Sequence, residues 1–121
     1  MQPYQTLYYV EDLGKSQQFY ASILGQEGTQ LSPVFHVFGL DNGWALALLR
    51  RDSVEPEATP AGGTELIFSC PDREAVDATA AQWRERGVRI ALEPVDARFG
   101  YSFVALDPDG NRLRAGYFPQ G

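Results

Sequence analysis

The sequence predicts an α+β fold made of two tandem β-α-β-β-β units, and three observations support this prediction. Short segments alternate apolar and polar residues or are rich in aromatic and β-branched residues, as strands are. Two longer segments repeat apolar residues at helical spacing. A tight turn at residues 106–111 is matched by one at residues 40–43, slightly more than half of the 121 residues earlier. We therefore expect one structural unit to occur twice.

The first unit begins with Tyr4–Val10, whose aromatic and β-branched residues predict a strand. Asp12 is placed to cap the helix that follows, and Gly25 is a typical helix end. Gly43, in the turn before the last strand of the unit, suits the positive φ that such turns require. The three strands after the helix are expected at residues 29–31, 34–40 and 44–50.

The second unit repeats this order and starts with a strand at Thr64–Cys70. Asp72 is placed to cap a helix that we expect to end at Gly87. The buried stripe of this helix is expected to consist of Val76, Ala80 and Trp83. The remaining strands are expected at residues 88–92, 101–106 and 111–118, with a loop at residues 93–100.

Residues 52–63 contain two prolines and two glycines and little apolar content, which is typical of a linker. We expect this linker to join a first unit at residues 1–51 to a second at residues 64–121. Because the linker is short, residues 1–121 are expected to form a single domain. One helix covers one face of each four-stranded sheet. We expect the two sheets to curve around a cleft lined by their helix-free faces.

Composition and charge exclude several classes of partner. The hydrophobic fraction of 44% is that of an ordinary globular protein. A net charge of −6 argues against nucleic acid and against an anionic membrane surface, because both select basic patches. No secretory signal or apolar run of membrane-spanning length is present. Cys70 is the single cysteine, which suits a reducing cytoplasm.

Two segments carry a recognisable pattern. One is Tyr9–Ser16, followed by Phe19-Tyr20 and Leu24-Gly25; the other is Phe99–Arg114, which contains the Asp107-Pro108-Asp109-Gly110 turn. Together they resemble the vicinal-oxygen-chelate superfamily, which includes glyoxalases, ring-cleaving dioxygenases and bleomycin-resistance proteins. The resemblance covers nearly the whole chain. It implies the glyoxalase/bleomycin-resistance fold, in agreement with the repeat.

Enzymes of this superfamily hold a divalent metal ion with His, Glu or Gln side chains from strands that face the cleft. The resemblance places these ligands at Gln5, Ala47, Glu65 and Arg114. Ala47 has no donor atom, and Arg114 is a permanent cation that repels a metal ion but suits a pair with Glu65. His36, the only histidine, lies on a different strand and is expected to have a structural or cleft-lining role. We therefore expect no metal, no other cofactor and no catalytic residue.

Without a metal ion, the expected function is binding. An aromatic surface with few charges suits a flat, weakly polar molecule, and Arg114 suits contact with its carboxylate or carbonyl group. Arg50 and Arg112 are alternatives for that contact. The full set of side chains expected to line the cleft is Gln5, Phe35, His36, Phe38, Trp44, Leu49, Arg50, Glu65, Tyr101, Phe103 and Arg114.

Within the superfamily, this combination is most similar to the metal-free antibiotic-binding proteins, and among these to the phenazine-resistance type. The resemblance implies that the chain sequesters a planar aromatic antibiotic or related metabolite without altering it. It also implies a homodimer whose two clefts are formed partly by each partner. Two alternatives stay open. A metal-dependent lyase or dioxygenase would use Gln5, Glu65 and water as ligands, and a purely associating dimer would have a cleft filled by side chains.

Overall fold

The computed structural model describes residues 1–98 and 100–119, and it confirms the α+β fold with two β-α-β-β-β units. The chain forms two compact units, of which the first spans Met1–Ala61 and the second begins at Gly62. The first unit contains β1 (Gln5–Val10), α1 (Leu13–Leu24), β2 (Thr29–Ser32), β3 (Phe35–Gly39) and β4 (Ala45–Arg50). The second contains β5 (Glu65–Ser69), α2 (Arg73–Glu85), β6 (Arg89–Asp96), β7 (Tyr101–Leu106) and β8 (Arg112–Tyr117).

The two sheets share one topology. The strand order is β1-β4-β3-β2 in the first and β5-β8-β7-β6 in the second. The first strand of each unit runs parallel to the last, and the other neighbours are antiparallel. A parallel pair requires a crossover connection, and each unit has its helix directly after its first strand. The repeat seen in the sequence is therefore a repeat of topology as well as of element order.

The predicted helix caps are confirmed. The side chain of Asp12 accepts a hydrogen bond from the backbone N–H of Lys15 at 3.0 Å, and that of Asp72 accepts one from Ala75 at 2.8 Å. Each bond satisfies one of the N–H groups that a helix start leaves without a partner. Gly25 ends α1 with a φ of 69°. No helix within residues 1–98 and 100–119 has both the length and the apolar character that crossing a bilayer demands.

The buried face of α2 agrees with the predicted stripe, whereas the apolar residues Leu13, Phe19, Tyr20, Ile23 and Leu24, which helical spacing places on one stripe of α1, are only partly buried. Val76, Ala80 and Trp83 are buried as expected. In α1 the buried residues are Leu13, Ser16 and Tyr20.

Strand β6 is longer than predicted. Residues 93–96 were expected to be loop, but the strand runs to Asp96. The expectation was wrong because Pro94 and Glu93 are poor strand formers in a central position. At the edge of the sheet, where β6 lies, a proline costs no ladder hydrogen bond. The pairing of β6 with β7 also shifts register between Leu92 and Val95, around the proline.

The closing hairpin between β7 and β8 is held by a buried carboxylate. Asp107 is 2% exposed, and its Oδ1 accepts hydrogen bonds from the backbone N–H groups of Asp109 at 2.9 Å and Asn111 at 2.7 Å. Its Oδ2 accepts one from Nδ2 of Asn111 at 2.9 Å. Gly110 closes the turn with a φ of 89°. This carboxylate therefore organises the turn.

Replacing Asp107 with alanine should destabilise the protein by about 3 kcal/mol, because the N–H groups that it accepts from lose their partner in a buried place. Urea unfolding followed by circular dichroism measures this. Asp41→Ala, an exposed aspartate in the corresponding turn of the first unit, is the control and should change stability little. Equal effects of the two substitutions would contradict the role of Asp107.

Candidate ligand-binding site

Aromatic contacts show which face of each sheet its helix covers. The ring of Tyr20 on α1 lies 6.3 Å from that of Tyr8 on β1. The indole of Trp83 on α2 lies 5.5 Å from the ring of Phe68 and 5.3 Å from that of Phe103, both edge to face. Because side chains alternate along a strand, these contacts assign every other residue to the opposite, helix-free face.

The helix-free face of the first sheet is apolar. Register places β1, β3 and β4 side by side, so that Leu7, Ala47 and Val37 form one row and Tyr9, Leu49 and Phe35 the next. Gln5 lies opposite Ala45 in the row before these. Three members of the predicted set, Gln5, Phe35 and Leu49, are therefore on this face.

Four other predicted residues of the first unit lie on the helix-covered side. His36 and Phe38 are buried and pair in register with Leu48 and Leu46, which share the face of Tyr8. Trp44 donates a hydrogen bond from Nε1 to Oγ1 of Thr6 at 2.9 Å, and Arg50 donates one to Asp52 at 2.6 Å. The structure thus separates His36, Phe38, Trp44 and Arg50 from the helix-free face.

His36 packs as part of the first unit's interior. Its Nε2 lies 2.8 Å from the backbone carbonyl oxygen of Glu27, so Nε2 carries the proton and donates it. Its ring centroid is 4.9 Å from that of Phe38. Nδ1 is buried and has no hydrogen-bond partner in the described part of the chain. The contacts of His36 are those of a structural residue that holds the segment before β2 against β3.

In the second unit, Tyr101 and Phe103 also lie on the helix-covered face. Phe103 is fully buried against Trp83. The hydroxyl of Tyr101 donates to Asp77 on α2 at 2.6 Å, and the guanidinium of Arg73 lies 4.0 Å above its ring. Phe103 forms part of the core, and Tyr101 links the start of β7 to α2.

Two charged residues of the predicted set, Glu65 and Arg114, meet on the helix-free face of the second sheet. Nε and Nη2 of Arg114 on β8 donate to the two carboxylate oxygens of Glu65 on β5, at 2.8 and 3.0 Å. Nη1 donates to Oγ of Ser102 on β7 at 3.0 Å. The arrangement joins three strands of the sheet through one guanidinium. We call Arg114, Glu65 and Ser102 the arginine cluster.

Both charges of the cluster are stabilised. The hydrogen bonds from Arg114, together with its charge and that of nearby Arg112, hold the pKa of Glu65 below its ordinary value. The hydrogen bonds to Glu65 likewise raise the pKa of Arg114. The side chains are only 21% and 25% exposed, so water screens the pair weakly. Glu65 and Arg114 are therefore both ionised at neutral pH.

Apolar side chains surround the cluster. Ile67 on β5 and Val104 on β7 lie opposite Arg114 in register, and Leu92 on β6 lies opposite Val104. Adjacent strands are about 4.8 Å apart, so this row extends about 14 Å across the sheet. Ile67 is 57% exposed and Leu92 is 42% exposed. Val104, between Arg114 and Leu92, is 3% exposed, so the row is an apolar strip with a guanidinium within it and exposed side chains at its two ends.

Two neighbours of Arg114 were missed by sequence reasoning. Ser102 is fully buried beneath the guanidinium, and the ring of Phe118 lies against Gly116, two residues beyond Arg114 on the same face. Once the pairing of β7 with β8 is known, the alternation of side chains places Ser102 on the same face as Arg114. The signal for Phe118 is the pair of glycines at positions 100 and 116, which leave room for a ring. The predicted segment around Phe99 falls outside the described residues.

The sequence matches the model of a known protein family. The model of the Glyoxalase/Bleomycin resistance protein/Dioxygenase superfamily matches residues 3–115. The chain belongs to this superfamily. Its fold is accordingly the one that the two sequence segments predicted.

Individual relatives span almost the whole chain. The phenazine antibiotic resistance protein of Enterobacter agglomerans is 29% identical over 115 residues, which cover 93% of this chain and 88% of that protein. A protein of Agrobacterium tumefaciens solved by NMR is 41% identical, with 98% of each chain covered and a TM-score of 0.89. A glyoxalase-related enzyme of Fulvimarina pelagi is 18% identical, with coverages of 98% and 88% and a TM-score of 0.85, and shows the same fold.

The residues at the superfamily's metal positions do not fit a divalent metal ion. By register, Gln5 and Ala47 lie on the helix-free face of the first sheet, and Glu65 and Arg114 on that of the second. Ala47 offers a methyl group, and both oxygens of Glu65 already accept hydrogen bonds from Arg114. No three His, Cys, Asp or Glu side chains of residues 1–98 and 100–119 are grouped so as to hold a metal ion. The two charged side chains at these positions, Glu65 and Arg114, form an ion pair with each other.

Glu65→Gln should destabilise the protein at pH 7 by about 1–2 kcal/mol, because the charged hydrogen bonds to Arg114 are lost. The pKa of Glu65 is lowered by folding, so its contribution is full above the ordinary glutamate pKa and disappears as pH falls through the folded value. Urea unfolding of both proteins between pH 7 and pH 3 measures this convergence. Asp52→Asn removes an exposed ion pair and should have little effect at any pH. A stability difference that stays constant down to pH 3 would contradict the paired state.

Proposed function

We propose that this chain binds a small planar aromatic molecule, an antibiotic or a related metabolite, and leaves it chemically unchanged. The observation that carries this proposal is the pairing of Arg114 with Glu65, which puts an organic cation where metal-dependent superfamily members need a ligand. A relative that covers most of the chain is a phenazine antibiotic resistance protein, which supports the choice of ligand class. The proposed contact surface is the arginine cluster and the apolar strip beside it.

Arg114 retains hydrogen-bonding capacity. A guanidinium has five N–H donors, and three of those of Arg114 are directed to Glu65 and Ser102. One donor on each of Nη1 and Nη2 has no partner among the described residues. Because Glu65 orients the group, little conformational entropy is lost when a ligand oxygen or ring nitrogen binds there. Arg114 is thus a pre-positioned polar anchor.

The strip of Ile67, Val104 and Leu92 suits the body of such a ligand. Its length of about 14 Å across four strands accommodates a molecule of two or three fused rings. Burying an exposed isoleucine and leucine beneath a ring system gains free energy in proportion to the apolar area covered. Polar anchoring by one group and apolar contact elsewhere are the usual features of a small-molecule site.

A metal ion bound to Glu65 would lie beside the permanent positive charge of Arg114, and this weighs against the metal-dependent alternative. One tightly held divalent ion per chain in the purified protein, measured by plasma mass spectrometry, would favour that alternative instead. For the remaining predicted contacts of the first unit, Gln5, Phe35 and Leu49, we propose a ligand-facing role because they lie on a helix-free face. We also propose a cytoplasmic location, which suits a chain with one cysteine.

Phenazine should bind the purified protein with measurable heat in isothermal titration calorimetry, and mass spectrometry should recover it unaltered. Arg114→Met should weaken binding about tenfold, because a charge-assisted hydrogen bond to a ring nitrogen is lost. Arg84→Met makes the same change of charge on an exposed side chain of α2 and should bind nearly as wild type. Absence of binding by any planar aromatic compound tested, or conversion of the compound, would refute the proposed function.

The homodimer implied by the family resemblance is also part of this proposal. Light scattering coupled to gel filtration should give a mass twice that of the 13.4 kDa chain. A monomer at micromolar concentration would remove the partner's contribution to the site while leaving the arginine cluster intact.

A further inference from the structure

Gly100 and Gly116, near the arginine cluster, allow other groups to approach the backbone closely. Neither Gly100 nor Gly116 is among the glycines with positive φ. Conformational freedom therefore does not explain them. Glycine inside a strand destabilises the strand, so Gly116, within β8, calls for another explanation. Close approach of another group to the backbone is the usual one.

The ring of Phe118 approaches both glycines, together with neighbouring groups of the sheet. A β-carbon on Gly116 would lie 2.7 Å from Cζ of Phe118 and 2.6 Å from Cβ of Ser102. A β-carbon on Gly100 would lie 3.0 Å from Cδ1 of the same ring and would collide with the carbonyl oxygen of Tyr117. Both glycines thus leave space that the phenyl ring uses. The ring packs against the backbone of the sheet.

This contact lies on the helix-free face, next to Arg114. Gly116 shares that face because its missing side chain would point at Ser102, whose Oγ accepts from Arg114. Ser102 is fully buried, whereas Phe118 is only half-buried. Phe118 is also on the opposite face from the core aromatics Trp83 and Phe103. Its position does not complete the core under α2.

We propose that Phe118 is an aromatic contact of the ligand site, and that Gly116 is a positioning residue that holds the ring beside Arg114. The inference rests on the proposed function and adds a residue outside the predicted set. A half-exposed ring fixed against backbone loses little freedom when a flat ligand packs against it, by offset stacking or edge to face. With Arg114 supplying the polar anchor, Phe118 selects for aromatic over saturated ligands.

Calorimetric titration with phenazine tests the inference in four variants. Phe118→Leu keeps an apolar side chain without a π system and should weaken binding about fivefold to tenfold, whereas Phe118→Tyr should stay within about twofold of wild type. Gly116→Ala should weaken binding to a similar extent by displacing the ring. Phe19→Leu, a half-buried phenylalanine on α1, is the matched control and should not change affinity.

Heteronuclear NMR with labelled phenylalanine supplies a readout that a purely structural role would not move. The Phe118 ring signals should shift on addition of phenazine, and the Phe19 signals should not. Unchanged affinity in Phe118→Leu, with a folded protein by circular dichroism, would overturn the inference while leaving the proposed function standing. Failure of the wild-type protein to bind phenazine or any other planar aromatic compound would overturn both. Misfolding of Gly116→Ala leaves the decision with the two Phe118 variants.

Discussion

The ion pair between Arg114 and Glu65 is the interaction on which the character of this protein depends. Taking two charges partly out of water costs free energy, and a two-point pairing with a third bond to Ser102 offsets that cost. The pair ties β5, β7 and β8 together on the face that α2 leaves bare. Glu65 has a carboxylate that could ligate a metal ion, but the pair joins that carboxylate to the organic cation of Arg114. The chemistry of this face is consequently hydrogen-bond donation from a fixed guanidinium.

The internal repeat shows how one topology carries two different surfaces. Ala47 lies between Leu7 and Val37 in the first sheet, as Arg114 lies between Ile67 and Val104 in the second. The backbone positions correspond, but one side chain is a methyl group and the other is a cation. Family membership and fold follow from the shared scaffold, whereas function follows from side chains at a few such positions. Of these two corresponding positions, only the one in the second unit carries a charged side chain.

Strand pairing places the predicted residues Glu65 and Arg114 on a helix-free face and most of the predicted aromatic residues on the helix-covered one. Glu65 and Arg114 came from aligned positions within strands, and opposite charges on one face of neighbouring strands pair predictably. His36, Phe38 and Phe103 were grouped with them because they are aromatic and lie in the right strands. Side chains alternate between faces with a period of two, so an error of one residue moves a side chain from the surface to the core. Aromatic content alone does not indicate which face a residue occupies.

The sequence by itself determined the two helices with their aspartate caps and the glycine turns, because each depends on residues that are close together in the chain. The repeated order of elements follows from these local signals. The tertiary structure alone decided three other features: the length of β6, the division of the aromatic residues between the two faces, and the packing of Phe118 against Gly100 and Gly116. These depend on strand pairing and on contacts between backbone and side chains that are distant in sequence. Such contacts leave no periodic signal, so they become visible only when the strands are placed side by side.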